Sequence, residues 1–409
     1  MRTLIRNGHV LDTKTMSFST SQDVLVEGGV IADVGGNLTT KVDVAVDAKG
    51  KYVMPGFIDA HVHFRLATMD FRQLTAWSEV EFGVVMARLA RETVERGFTT
   101  VRDLGGEVSG LMSAIRHGHT IGPRIVRAGR MLSQTGGHGD TAGGHLDLPA
   151  CACSFRSDNF SIVADGPDAV RKAARHLLRD GSDFLKIHVS GGVASPTDPI
   201  DSIQYTPEEI VAAVTEADHR GTYVAAHAYS PEAIAMAVSS GVHSVEHANL
   251  IDKPTAALVA SKNAVMVPTL STYKAMNDVG SRLGLPAANQ QKNVVVYESG
   301  LESLEIAVGA GVTLGLGTDL IGETQSYQNS EMAIRAEVQS AVDILRSMWV
   351  VNSELCHLSG KIGVVAPGAF GDIVVSNVNP LDNIVKFADH SMSLTHVIQG
   401  GNVVVDRSR

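Results

Sequence analysis

The sequence predicts an α/β fold: a (β/α)8 barrel of the TIM type carrying a small β-sandwich built from both chain ends. Three observations carry that prediction. The centre, residues 54–365, alternates eight strand-like runs with helical patterns. Both ends, 1–53 and 366–409, hold only short β-like runs broken by turn residues, too few for a core of their own. The length of 409 residues suits one barrel of roughly 250–300 residues plus an accessory domain.

Taken in order, β-like runs at 3–5, 23–26, 30–34 and 43–47 open the chain, with Gly28-Gly29 as a hairpin signal. The barrel strands are expected at 56–63, 99–103, 124–128, 184–189, 223–227, 244–247, 265–268 and 312–319. Helical patterns lie between them, for example at 84–96, 168–179 and 231–239. Thr206, Pro207 and Glu209 make a capping box that should start a helix. The last strands are expected at 371–376, 396–398 and 403–405, the final pair joined by a turn at Gly400-Gly401-Asn402. A doubly wound open sheet is the alternative reading. Gly105-Gly106 and Gly191-Gly192 lack the spacing of a dinucleotide-binding loop, so no such cofactor is expected.

Composition narrows the class without choosing the chemistry. A formal net charge of −10 argues against nucleic acid or an anionic membrane as the main partner. No apolar run approaches the roughly 18 residues of a spanning helix, and no targeting segment is visible. Three cysteines, Cys151, Cys153 and Cys356, suit a reducing compartment better than a disulfide framework. The expectation is a cytoplasmic homo-oligomer acting on a small molecule.

Chemistry concentrates around Lys186. It stands in Phe-Leu-Lys-Ile-His-Val-Ser-Gly-Gly, an apolar run that should be buried, where a lone ammonium is costly. His61 and His63 are two apart on a strand and share a face. Lys186, His227, His247 and Asp319 fall at or near the ends of predicted strands four, five, six and eight. Barrel active sites form at those ends. Singly, each has an ordinary reading: a core histidine, a helix cap, half of an ion pair. Together they read as a metal centre, in which Lys186 has taken up CO2 and bridges two divalent ions as an anionic carbamate. His9, His117, His119, His219 and His357 have no such placement.

The run Pro55-Gly56-Phe57-Ile58-Asp59-Ala60-His61-Val62-His63, with Lys186, the two later histidines and Gly317-Thr318-Asp319, resembles the amidohydrolase superfamily of binuclear type. The segment from Ala366 to Val374 resembles the run by which such chains re-enter their small β domain. The resemblance spans essentially the whole chain. It implies that His61, His63 and Asp319 hold the more buried metal, His227 and His247 the second, and carboxylated Lys186 both. Zn2+ suits such ligands, and Mn2+, Co2+ or Fe2+ fit the same set. It also implies hydrolysis of an amide-like bond, with Asp319 as the catalytic proton carrier.

Loops must set the substrate. His138, between glycines in Gly136-Gly137-His138-Gly139, is a catalytic candidate that donates to the oxyanion. Tyr229 is a candidate partner for a substrate carboxylate, and Arg156 a second one. These features, with Ser190-Gly191-Gly192-Val193, resemble the prolidase-like branch. The expected substrate is a dipeptide or N-acyl amino acid cut before its C-terminal residue, with Xaa-Pro first. An Xaa-Arg/Lys carboxypeptidase or an ochratoxin-type amidohydrolase is the alternative. An imidazolonepropionase-like cyclic amide hydrolase or a deaminase comes behind these, because such relatives generally lack the bridging lysine. A scaffold without catalysis is disfavoured by the intact ligand set. His188 departs from the family pattern, which usually carries Met there. Residues 269–299 read as a lid or a surface excursion.

Overall fold

Short runs rich in valine, leucine and isoleucine set the first strands: β1 (Arg2–Asp12), β2 (Ser17–Glu27), β3 (Val30–Gly35), β4 (Val44–Asp47) and β5 (Tyr52–Pro55). The computed structural model of the protein describes residues 1–140, 160–195 and 198–408. The central strands follow as β6 (Phe57–Val62), β7 (Phe98–Asp103), β8 (Arg124–Arg127), β9 (Met131–Ser133) and β10 (Ser161–Val163). Next come β11 (Leu185–His188), β12 (Val224–Ala228), β13 (Ser244–His247), β14 (Val265–Val267) and β15 (Thr313–Leu314). The chain closes on β16 (Ile373–Ser376), β17 (Leu394–Gln399) and β18 (Asn402–Asp406).

Strands from both termini join one eight-stranded sheet in the order β18-β17-β16-β5-β1-β2-β3, with β4 also on β1. Two facing sheets were expected; the pairing runs through one. Two of its hairpins turn at Gly28-Gly29 and Gly400-Gly401, where all four residues have positive φ, as a tight hairpin turn requires. The pleat then sorts side chains by face. Val53, Ile373, Val375 and Ile398 enter a small core of the sheet's own. Their neighbours Met54, Val374 and Val397 pack with Phe57, Trp349 and Phe387 beneath the central strands.

The central strands are parallel and buried almost throughout, so they read as apolar runs rather than alternations. They form a three-stranded sheet, β6-β7-β8, and a seven-stranded one, β10-β9-β11-β12-β13-β14-β15. β9 and β10 were not expected. The predicted eighth strand, 312–319, shrinks to Thr313–Leu314, and Asp319 lies beyond it. Asn352 gives the physical reason. Its amide donates to the carbonyls of Ile58 and Leu316 at 2.8 Å each and accepts from Leu316 N at 3.1 Å. A side chain thus fills the place of a ladder partner between β6 and residue 316. Beyond it, Ala60 N donates to Leu316 O at 2.8 Å and Asp319 N to His61 O at 2.7 Å. On the other flank Asp183 N reaches Arg127 O at 2.8 Å.

Helices form where predicted, with small shifts. Residues Pro167–Arg179 and Pro231–Ser239 are helical, and Glu79–Glu95 begins earlier than expected because Ser78 caps it. Pro207–Asp218 carries the predicted capping box. Residues 269–299 hold two helices, Leu270–Val279 and Ala287–Glu298. The second turns polar side chains inward: Asn293 Nδ2 donates to Tyr273 O at 3.0 Å, and Lys292 Nζ donates to Gly192 O and Ser195 O at 3.1 and 2.8 Å. The segment is packed structure rather than a loose excursion. Among the described residues no helix is long and apolar enough to cross a membrane.

Candidate metal centre

Six candidate side chains gather toward the C-terminal ends of the parallel strands: His61 and His63 at the end of β6, Lys186 on β11, His227 on β12, His247 on β13 and Asp319 after β15. Asp319 Oδ1 lies 3.3 Å from both His61 Nε2 and His63 Nε2, and those two nitrogens are 3.3 Å apart. His61, His247 and Asp319 present ligand atoms within 4.8 Å of one another. The His247 ring is 4.9 Å from that of His61 and 4.6 Å from that of His227. Lys186 is fully buried on β11, in register with Ala225 of β12, while His188 pairs with His227. Burial pulls the Lys186 ammonium down to about 8, against the opposing pull of Glu246 and Asp319.

Each histidine is held through one ring nitrogen. Nδ1 of His61 meets Glu246 Oε2 at 2.8 Å, and Nδ1 of His63 meets the carbonyl of Gly105 at 3.2 Å. His227 uses Nε2 on the carbonyl of Gly191 at 3.0 Å; His247 uses Nδ1 on Thr269 Oγ1 at 2.8 Å. A carboxylate and two carbonyls only accept, so three of these nitrogens carry the proton and the opposite one keeps its lone pair. That is the arrangement a metal-ligating imidazole requires. Burial pushes His227 and His247 well below the ordinary imidazole range, which also keeps them neutral.

Backbone strain brings two of the six into place. Neighbours on a strand point to opposite faces, yet Glu246 touches His61 and His247 faces the same ring. His247 has φ 74°, a left-handed conformation that turns its side chain back beside Glu246. Asp319 has φ 51°. Such residues cost on the order of 1–3 kcal/mol and persist where surrounding contacts fix them. For Asp319 the fixing residue is Asp59, whose Oδ1 accepts from His61 N and Thr318 N at 3.0 and 3.1 Å and whose Oδ2 accepts from Thr318 Oγ1 at 2.6 Å. Gly317 permits the approach, since a Cβ there would meet Val267 at 2.5 Å and His61 Cβ at 2.7 Å.

Glu246 also accepts from Arg102 Nη2 at 2.8 Å and from Ser244 Oγ at 2.6 Å. Burial alone would raise this carboxyl, but Arg102 and His61 hold it well below the usual range. Both partners are fully buried. Glu246→Ala strands the Arg102 charge, and urea denaturation is expected to show a stability loss of about 3–5 kcal/mol. A loss under about 1 kcal/mol would mean that Arg102 finds another partner.

His138 and Tyr229 border the same cluster. The His138 ring stacks on His227 with centroids 4.4 Å apart. Its Nδ1 is 2.8 Å from Ser195 Oγ and 3.6 Å from Asp198 Oδ2, and Ser195 Oγ also donates to Asp198. Gln204 ties the group together, accepting from His138 N at 2.8 Å and donating to Asp198 at 2.9 Å. The Tyr229 ring packs 4.9 Å from His227 and 5.3 Å from His247. Arg156, Cys151 and Cys153 lie outside the described residues. His188 sits 5.1 Å from the His138 ring and 5.5 Å from that of His227. Glu246, Thr269, Asp59 and Asp198 were not anticipated. Glu246 carried the best signal, as a charge inside an apolar strand beside His247.

Parallel strands ending in a buried cluster of imidazoles and a carboxylate make an α/β protein whose residues suit a metal. The chain belongs to the amidohydrolase family, whose profile matches residues 52–404. The family is metal-dependent, and the lone pairs left by the oriented histidines fit that requirement. The structure is similar to that of a prolidase crystallised with N-methylphosphonate-L-proline, with TM-score 0.94, 40% identity, and 99% and 100% of the two chains covered. It is also similar to a Xaa-Pro dipeptidase with bound methionine, with TM-score 0.84, 26% identity, and 98% and 99% covered. In sequence, an ochratoxinase of Aspergillus niger is 29% identical over 368 residues, 86% of this chain and 75% of the relative. The protein is a hydrolytic enzyme of the prolidase-like branch.

Proposed function

We propose that the protein is a binuclear metallo-dipeptidase that cleaves the amide bond before a C-terminal residue, with Xaa-Pro as the leading substrate. The observation that carries this reading is full-length similarity at 40% identity to a prolidase crystallised with a proline phosphonate. His61, His63 and Asp319 would hold one metal, His227 and His247 the second, and carboxylated Lys186 both, with Zn2+ as the first candidate. When bound, the ions acidify a water and polarise the scissile carbonyl.

The chain's own residues do the rest. Asp319 takes the proton of the attacking water and passes it to the leaving nitrogen. His138, held through Nδ1 by Ser195 and Asp198, donates to the developing oxyanion through Nε2–H when its ring carries both protons. Tyr229 binds the substrate carboxylate through its phenol. The two parallel sheets are then the parts of one (β/α)8 barrel over 54–365, and 1–53 with 366–409 the small β domain. The hydrogen bonds from Ala60 and Asp319 across to Leu316 and His61 support that closure.

The likeness to ochratoxinase supports a second reading, an amidase of N-acyl amino acids. Turnover of Xaa-Pro, Xaa-Arg and N-acyl amino acid panels by the metal-loaded enzyme separates the two. Xaa-Pro is expected to give the highest kcat/KM, on the order of 10⁴ M⁻¹s⁻¹ or more. Turnover of cyclic amides or amino-heterocycles alone would overturn both.

A further inference from the structure

A run of hydrogen bonds leads from His247 to Tyr229. His247 Nδ1 is 2.8 Å from Thr269 Oγ1, Thr269 Oγ1 is 3.4 Å from Tyr273 OH, and Tyr273 OH is 2.8 Å from Tyr229 OH. All four residues are at most 2% exposed. Burial pushes both phenols far above their ordinary range, so each keeps its proton at any working pH.

Counting protons shows what the run can do. The ring N–H, the threonine hydroxyl and two phenols supply four protons for three contacts, so one proton is left at one end. Glu246, Gly105 and Gly191 hold the other three histidines through atoms that only accept. Thr269 can accept or donate, so it leaves the His247 tautomer open. A ligand on His247 Nε2 closes that choice by making Nδ1 the donor. Nδ1–H then points to Thr269, Thr269 to Tyr273 and Tyr273 to Tyr229. The unused proton is the one on Tyr229.

We propose that Thr269 and Tyr273 are positioning residues that transmit the direction set at His247, so that Tyr229 presents its O–H to the carboxylate of the substrate. This rests on the proposed reading of His247 as a metal ligand and of Tyr229 as the carboxylate contact. In the opposite direction Tyr229 would give its proton to Tyr273 and face the carboxylate with lone pairs. The relay thus couples occupancy of the metal site to preference for a free C-terminus.

Calorimetric binding of L-proline and L-prolinamide to the metal-loaded protein tests this, with metal content measured on every variant. Tyr273→Phe and Thr269→Val are expected to weaken L-proline about fivefold and L-prolinamide less than twofold. Thr269→Ser should restore the wild-type ratio, which a merely structural role would not predict. Tyr229→Phe should remove the preference for proline over prolinamide. If it does so while Tyr273→Phe and Thr269→Val, both metal-replete, keep the wild-type ratio, the relay is overturned and the role of Tyr229 stands. If Tyr229→Phe leaves the ratio unchanged, the carboxylate assignment itself falls, and the relay with it.

Discussion

Lys186→Ala is expected to drop bound metal from about two equivalents per chain to one or fewer and to cut kcat/KM on the order of 10³-fold or more. Lys186 is fully buried on β11, beside β12 and its candidate ligand His227. A buried ammonium at this position would repel cations; a carbamate on the same atom attracts them. Only the free amine reacts with CO2, and burial lowers Lys186 to about 8, so the reactive form is accessible near neutral pH. Below about 8 the fraction of free amine rises roughly tenfold per pH unit, and above it the fraction levels off. Reconstitution of metal-stripped enzyme at fixed dissolved CO2 should therefore accelerate from pH 6 to 8 and flatten beyond. Circular dichroism separates metal loss from unfolding. Full metal content and activity in a folded Lys186→Ala protein would refute the bridge.

The candidate ligands were legible because their spacing marks them locally. His61 and His63 are two apart in one strand, and Lys186 is a charge inside an apolar run. The Gly-Gly turns and the capping box were equally readable, since each is fixed by residues three or fewer positions apart. What escaped depends on contacts distant in sequence or on backbone strain. Asn352 ends the eighth strand early by bonding to Ile58, 294 residues away. Strand alternation alone would turn Glu246 away from His247; the φ of 74° at His247 reverses that. Asp198 lies 60 positions beyond His138 and meets it only once Gln204 has joined the two loops. His188, two residues after Lys186 on β11, falls on the same face by strand alternation.

Asp319→Asn is expected to lower kcat about 10²–10⁴-fold, with the larger loss on substrates whose leaving amine is poor. The two oxygens of Asp319 have unequal surroundings. Oδ1 is 3.3 Å from both His61 Nε2 and His63 Nε2, while Oδ2 is 4.0 Å from His247 Nδ1, too far for a hydrogen bond. Oδ2 is therefore the atom able to take and return a proton. Burial works to raise this carboxyl, but the imidazoles outweigh it and hold it well below the usual range. The group is ionised before water attacks, as a proton acceptor must be. Asparagine keeps the shape and an oxygen, yet cannot carry the proton to the departing nitrogen. A proline amide leaves only once protonated; an activated anilide needs far less help. Comparing Xaa-Pro with an activated anilide in the metal-replete variant separates the two roles of Asp319. A larger loss on Xaa-Pro supports proton transfer, and equal losses on both would reduce Asp319 to a ligand alone.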